Sequence, residues 1–281
     1  MSAFRRAFSP AFRPPFGASG DTPAPDLRAQ VIAALYSGGR RGFLLDFSDK
    51  STLFQDDAES SPVTAVSQQI AVARDISGNG LHFRQTTAGA RALYQEDSAI
   101  GYARGDGTDD FMETVATNSL LTNADGMMFF AVGRTYDPES RRNFGGQLDS
   151  GANRRVWSDN LISSVLGDYG FGAQTPNAFI LDRMARIADD SNAGWYTTIG
   201  AWAGSDARSR LKINGGTFVE SVSTTPAVGI VSTPAHIFAT PASDIFNNVD
   251  ISLIGCVDRD QSTDAEILAL VQQLLDARTP A

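Results

Sequence analysis

Carboxylates in glycine-rich turns are the residues of this sequence best placed for chemistry. Asp106, Asp109 and Asp110 fall together in GYARGDGTDDF (101–111), and Asp75 opens a second turn, DISGNG (75–80). Three kinds of chemistry suit such acids. Two carboxyls flanking one bond hydrolyse glycosides. Several carboxylate oxygens gathered from two turns hold calcium. Failing either, Asp side chains bond the local backbone and shape the turn. The glutamates, at 59, 96, 113, 139, 220 and 266, make no E-x-D-x-E series that would line up acids on one strand face. The chain is therefore expected not to be an enzyme. Calcium at Asp75, Asp106, Asp109 and Asp110 is the one cofactor weighed, against the plainer expectation of no cofactor and acids that only build turns. His82 and His236, the two histidines, follow a turn and open a strand, and both read as structural. There is no G-x-S-x-G elbow, phosphate loop, dinucleotide fingerprint or H-E-x-x-H pair.

Sugar binding is the better-supported chemistry. Aromatic rings stack on the apolar faces of sugars while Asp, Asn and Arg take their hydroxyls. Trp157, Asp159 and Asn160 form one such mixture, and Asp168, Tyr169 and Phe171 a second, both in glycine-rich turns, where loops carry function. Trp195 and Trp202 sit in strand-like sequence and read as core.

Composition narrows the partners. Formal net charge is -9 with 23 Lys and Arg against 32 Asp and Glu, which disfavours nucleic acid, whose binding rests on clustered cations. The single cysteine, Cys256, excludes an intrachain disulfide and lies in an apolar run. The longest apolar run, 127–132, is far too short to cross a membrane, and no signal-peptide apolar region is evident, so a soluble protein without membrane insertion is expected.

The elements that must position these residues are mostly strands. Residues 1–25 stand apart: Phe4, Phe8, Phe12 and Phe16 recur every four residues, and Pro10, Pro14 and Pro15 forbid a continuous helix. Such an arm is expected to anchor its phenylalanines in a partner or a neighbouring subunit. Asp26 reads as the N-cap of a short helix through Leu27, Val31 and Leu35, stopped by Gly38 and Gly39. From Gly42 the pattern changes to short strands. GMMFFAVGR (126–134) is apolar throughout and predicts a central strand covered on both faces. Asn214-Gly215 between alternating runs predicts a hairpin. At the end, Thr263 and Glu266 suggest a T-x-x-E capping box for a helix striped by Ile267, Val271, Leu274 and Leu275. The expected architecture is all-β: an antiparallel β-sandwich with a short N-terminal helix, a C-terminal helix and an extended N-terminal arm. The divisions are an arm at 1–25, helix and linker at 26–39, and one sandwich with its helix at 40–281.

Several motifs occur in an order that resembles the concanavalin A-like, laminin-G-like jelly roll. They are D-x-S-G-N-G-x-H from Asp75 to His82, G-D-G-x-D-D-F from Gly105 to Phe111, the N-G hairpin at Asn214, and FNNVDISLIG (246–255) before the helix start at Asp264. A narrower resemblance runs from Phe43 to Tyr94. The D-x-S-D-x-S-T-L-F-Q-D block, carried by Asp46, Ser48, Asp49 and 51–56, with P-V-T-A-V at 62–66, is similar to structural proteins of tailed phages, prophages and gene transfer agents. That resemblance implies a virion spike, tail fibre or decoration protein, oligomeric and located on the particle. Its partners would be other virion proteins, held through the arm, and host cell-surface polysaccharide, bound by the sandwich loops. The alternatives are a polysaccharide depolymerase and a purely architectural decoration protein.

Overall fold

Strand β8 (Gly126–Thr135) is the centre of the molecule, and its sequence shows why. Met127, Phe129 and Ala131 point into one apolar cluster, while Met128, Phe130 and Val132 point into another. A strand apolar on both sides needs cover on both sides. One side is covered by a second sheet, the other by two helices. The computed structural model describes residues 26–114, 126–136, 144–149, 154–158, 168–171, 185–188, 194–203, 208–221, 234–239 and 246–281. The arm with Phe4, Phe8, Phe12 and Phe16 lies outside them, as do Asp159 and Asn160.

The larger sheet has eight strands. β8 is flanked by β13 (Tyr196–Ala203) and β17 (Val249–Val257), both antiparallel to it. β14 (Arg208–Ile213) and then β15 (Val219–Glu220) extend one side. On the other, β17 pairs with two strands end to end: β1 (Gly42–Asp46) along 253–257 and β6 (Ile100–Arg104) at 250–251, with β5 (Leu93–Asp97) beyond β6. The change of partner coincides with a bulge: the register against β8 shifts between Ile251 and Leu253. The extra residue reverses the alternation, so Ile251 and Ile254 face the inter-sheet core while Leu253 and Val257 face the helices. Gly255 is needed here because a Cβ would run into the Phe130 ring.

The second sheet has seven strands in the order β10 (Arg154–Ser158), β9 (Gly145–Asp149), β16 (Ala235–Ile237), β7 (Met112–Thr114), β4 (Phe83–Arg84), β3 (Val72–Ala73) and β2 (Leu53–Phe54). Phe83, Met112, Ala235 and Ile237 point from it into the inter-sheet core with Phe43, Phe47, Tyr94 and Trp202. A small antiparallel pair, β11 (Asp168–Phe171) and β12 (Ala185–Ala188), adjoins β14 and β15. The fold is thus a two-sheet antiparallel sandwich with helices, as the sequence predicts.

Helix α1 (Leu27–Tyr36) is capped by Asp26, whose side chain accepts from the Arg28 N–H, and Gly38 closes it at φ 72°. Helix α2 (Ala265–Asp276) is capped by Asp264, which accepts from the N–H groups of Glu266 and Ile267. The predicted Thr263–Glu266 box is therefore displaced by one residue: a carboxylate at 264 reaches both free N–H groups at once. Val31, Leu35, Val271, Leu274 and Leu275 cover the outer face of the large sheet. No helix among the described residues is long and apolar enough to cross a membrane.

Candidate functional site

The outer face of the seven-stranded sheet carries an unusual row of side chains. Inward-pointing Phe83, Met112 and Ile237 put their neighbours Arg84, Glu113 and His236 on the opposite face. Register makes the three adjacent: Arg84 is opposite Glu113, Glu113 is opposite His236, and His236 is opposite Gly146 on β9. Above this row lies an open groove of about 630 Å³, lined by Asp57, His82, Arg84, Phe111, Glu113 and the threonines at 86, 87 and 114 among others. That volume lies within the range of small-ligand sites.

Glu113 and His236 are arranged as a unit. His236 is buried, and its Nε2 lies 3.1 Å from Glu113 Oε2. Burial pushes the imidazole pKa down, against the pull of Glu113, so the ring is neutral at pH 7. Its one proton is then best placed on Nε2, donating to the carboxylate, while Nδ1 is a buried nitrogen without a partner. The tautomer is inferred from this network. Glu113 is held at one oxygen, and its side chain remains 44% exposed to the groove. The Phe111 ring sits beside the pair, 6.1 Å from the imidazole and 6.3 Å from Phe246.

His82 supplies a complementary donor. The Asp75 N–H donates to His82 Nδ1 at 3.0 Å, so Nδ1 is the acceptor and Nε2 is the donor of the ring. The DISGNG turn fixes that ring. Asp75 Oδ1 accepts from the Leu44 and Ser77 N–H groups at 2.9 and 2.8 Å, and Oδ2 from the Ser77 hydroxyl and the Leu81 N–H at 2.9 and 3.0 Å. Arg84 is tied down by Asp57 (3.0 Å) and Glu59 (2.5 Å). The groove therefore offers a held acceptor, a held donor, an aromatic ring and threonine hydroxyls. These are the groups that recognise a polyhydroxylated ligand.

The sequence-predicted sites fall elsewhere. Asp106, Asp109 and Asp110 come together, with carboxylate oxygens within 4.8 Å of one another. They also build their own turn: Asp106 Oδ1 accepts from the Thr108 N–H at 2.7 Å, and Asp110 Oδ2 from the Asp106 N–H at 3.0 Å. Burial, and then the charge of Asp106, pushes the Asp110 carboxyl up to about 6. Asp75 is not in this group: its four bonds are made to Leu44 in β1 and to Ser77 and Leu81 in and just after its own turn. Trp157 lies on β10, the edge strand two places from β16 on the same sheet as the groove. Asp168, Tyr169 and Phe171 lie on β11, in the separate two-stranded sheet. Trp202 is in the inter-sheet core, as expected. Trp195 instead belongs to a cluster on the outer face of the large sheet, with Arg134 4.7 Å over its ring and Tyr102 edge-on at 5.1 Å. At its base the fully buried Asp250 accepts from Arg104 (2.9 Å), Arg134 (2.8 Å) and the Tyr136 hydroxyl (2.6 Å).

The groove escaped the sequence reading as a unit: His82 and His236 read as structural, and Arg84, Glu113 and His236 come from three distant strands. The one local signal was the alternation in Phe83-Arg84 and Met112-Glu113-Thr114, which sets a lone charge on the outward face of each strand.

No family model and no curated protein matches the chain in sequence. Solved structures do match its fold. A Trypanosoma rangeli sialidase in complex with 2,3-difluorosialic acid superposes with a TM-score of 0.55 at 10% identity, over 88% of this chain and 37% of that one. The binding domain of botulinum neurotoxin serotype D gives 0.54 at 10% identity, over 87% of this chain and 53% of that one. An arabinofuranosidase complexed with arabinofuranosyl-α-1,2-xylobiose gives 0.51 at 12% identity, over 75% and 51%. The chain thus spans between about two fifths and about half of these proteins, and at such identity the likeness is one of fold. It corrects one expectation. The missing E-x-D-x-E series is no ground for ruling out an enzyme, because glycoside hydrolases are among the proteins that share this fold.

Proposed function

We propose that this chain is a carbohydrate-binding β-sandwich whose ligand lies in the groove on the outer face of the seven-stranded sheet. The observation that carries the reading is the pairing of a held acceptor, Glu113, with a held donor, His82, beside the Phe111 ring in one open groove. Support comes from the glycans named with two of the structural neighbours, difluorosialic acid and arabinofuranosyl-xylobiose. The test is retention of the purified protein on immobilised polysaccharides. The variant His82→Ala with Glu113→Ala should lose retention while keeping the parent's circular dichroism. Undiminished retention would place the ligand elsewhere.

The same groove supports a second reading, glycan cleavage, because two carboxyl groups, Asp57 and Glu113, line it. New reducing ends released from a polysaccharide by the parent and not by Glu113→Gln would establish it.

We further propose that the chain serves on a phage-like particle as a spike, tail fibre or decoration protein. The supporting feature is the phage-type resemblance from Phe43 to Tyr94. In this reading the arm with Phe4, Phe8, Phe12 and Phe16 binds other virion proteins. Copies held together as an oligomer bind host cell-surface polysaccharide with avidity. Mass spectrometry of purified particles is the test of location. A chain lacking residues 1–25 that still joins particles normally would remove the arm from the proposal.

A further inference from the structure

We infer that the outer face of the large sheet carries a second site, separate from the groove, in which Arg104 and Arg134 take the carboxylate of an acidic sugar and the rings beside them take its apolar face. The site begins where the helices stop. α1 and α2 cover Met128, Phe130 and Val132 of β8 and Leu253 of β17. Further along, the outward side chains change character. Register sets Arg134, Asp250 and Arg104 side by side across β8, β17 and β6. Asp250 lies at the bottom with no exposed surface and orients both guanidiniums. Arg104 gives it Nε and Nη2, at 2.9 and 3.1 Å, and shares Nη2 with the hydroxyls of Tyr102 and Tyr136. Arg134 gives it Nε at 2.8 Å and turns Nη2 to the Tyr102 hydroxyl at 3.3 Å. None of these bonds uses Nη1 of either arginine. Asp97 is 3.7 Å from Nη1 of Arg134, beyond hydrogen-bond reach. A guanidinium whose Nε–Nη2 edge is fixed on a buried acid turns Nη1 away from that acid, and the Nη1 protons then suit a second carboxylate.

Aromatic rings flank these donors. Tyr136 is 44% exposed, and its ring centre lies 5.3 Å from the guanidinium carbon of each arginine. Trp195 is 4.7 Å from that of Arg134. The Arg104 side chain is 36% exposed. An open ring beside a held guanidinium matches a ligand that joins a carboxylate to an apolar C–H face, as a uronate does. An acidic peptide brings the carboxylate without that face. The site uses no residue of the groove, so the two readings stand or fall separately.

The experiment titrates oligogalacturonate into the full chain by calorimetry at near-physiological salt. The comparison ligands are fully methyl-esterified oligogalacturonate, which is neutral, and oligoglutamate. The titrations are repeated with the His82→Ala, Glu113→Ala chain, in which the groove is disabled. Oligogalacturonate is expected to bind both chains at least about tenfold more tightly than either comparison ligand. Arg104→Lys keeps a charge for Asp250 and loses the fork, and should weaken that binding by about tenfold. Tyr136→Ala, at an exposed position, should weaken it by about fivefold. A melting curve for each variant shows that the fold is kept. Equal binding of the esterified ligand or of oligoglutamate would overturn the inference, as would parent-like binding by both variants. Loss of binding in the His82→Ala, Glu113→Ala chain with unchanged circular dichroism would also overturn it, because the ligand would then lie in the groove. If neutral polysaccharides are not retained and oligogalacturonate still binds as expected, the groove reading falls and this one stands.

Discussion

At the residue scale, the acidic turn has a measurable electrostatic cost. The Asp110 carboxyl is raised from 3.8 to about 6 by burial and by Asp106. The folded state therefore holds that proton more tightly than the unfolded chain does. Between those two values stability falls as pH rises, and the full cost is present above pH 6. Asp110→Asn keeps an oxygen for the Asp106 N–H and removes the charge. It should raise stability at pH 7–8 by about 1–3 kcal/mol, with the gain vanishing as pH falls towards 4. Urea titrations of parent and variant at several pH values check this; a gain that is constant with pH would contradict it. His236 has the opposite sign. Its pKa is lowered from 6.5 by burial, so its contribution to stability is present above that value and is lost as pH falls below it. Asp250 is a buried acid held by three partners. It accepts from Arg104, Arg134 and Tyr136 and has no exposed surface. Asp250→Ala takes from Arg104 its carboxylate partner and leaves Arg134 with only Asp97 at 3.7 Å among the described acids, and should cost about 3–5 kcal/mol, read by denaturant titration.

At the element scale, capping and the bulge decide how the pieces end. Asp264 accepts two N–H bonds at the start of α2. Asp264→Ala should cost about 1 kcal/mol, and Thr263→Ala close to nothing. Thermal melts of the pair separate the observed cap from the T-x-x-E box that the sequence suggested. Asn214 illustrates an element legible in advance: it adopts φ 49° in the hairpin, with its side-chain oxygen accepting the Thr197 N–H at 2.9 Å. The Asn-Gly signal worked because turn conformation depends on two adjacent residues. The bulge in β17 gave no such signal. It falls where β1 and β6 meet along one edge of that strand, and nothing in VDISLIGCV announces two partners.

At the scale of the whole molecule, the C-terminal segment is stitched to the first strand. Arg278 donates to both oxygens of the buried Asp46 at 3.2 and 3.0 Å, and the Ser252 hydroxyl, in the bulge, donates to the Arg278 carbonyl at 2.5 Å. Asp49, three residues after Asp46, pairs with Arg28 of α1. These acids thus hold helices to sheet. Arg278→Ala should destabilise the protein by about 2–4 kcal/mol, visible as a lowered melting temperature with the folded circular dichroism unchanged.

The sequence by itself determined the class of the fold. A run apolar on both faces required a central strand with cover on each side, alternation and glycine turns required antiparallel neighbours, and two striped segments required helices. Those properties repeat over a few residues, so local order reveals them. Only the tertiary structure decided the site. Arg84, Glu113 and His236 become neighbours through the registers of β4, β7 and β16, and a register is fixed by which apolar face each strand buries. Asp75, paired in the sequence reading with the acids at 106–110, was claimed instead by the backbone of β1 and of its own turn. Whether a carboxylate binds a ligand or a nearby N–H depends on which of them the fold brings within reach.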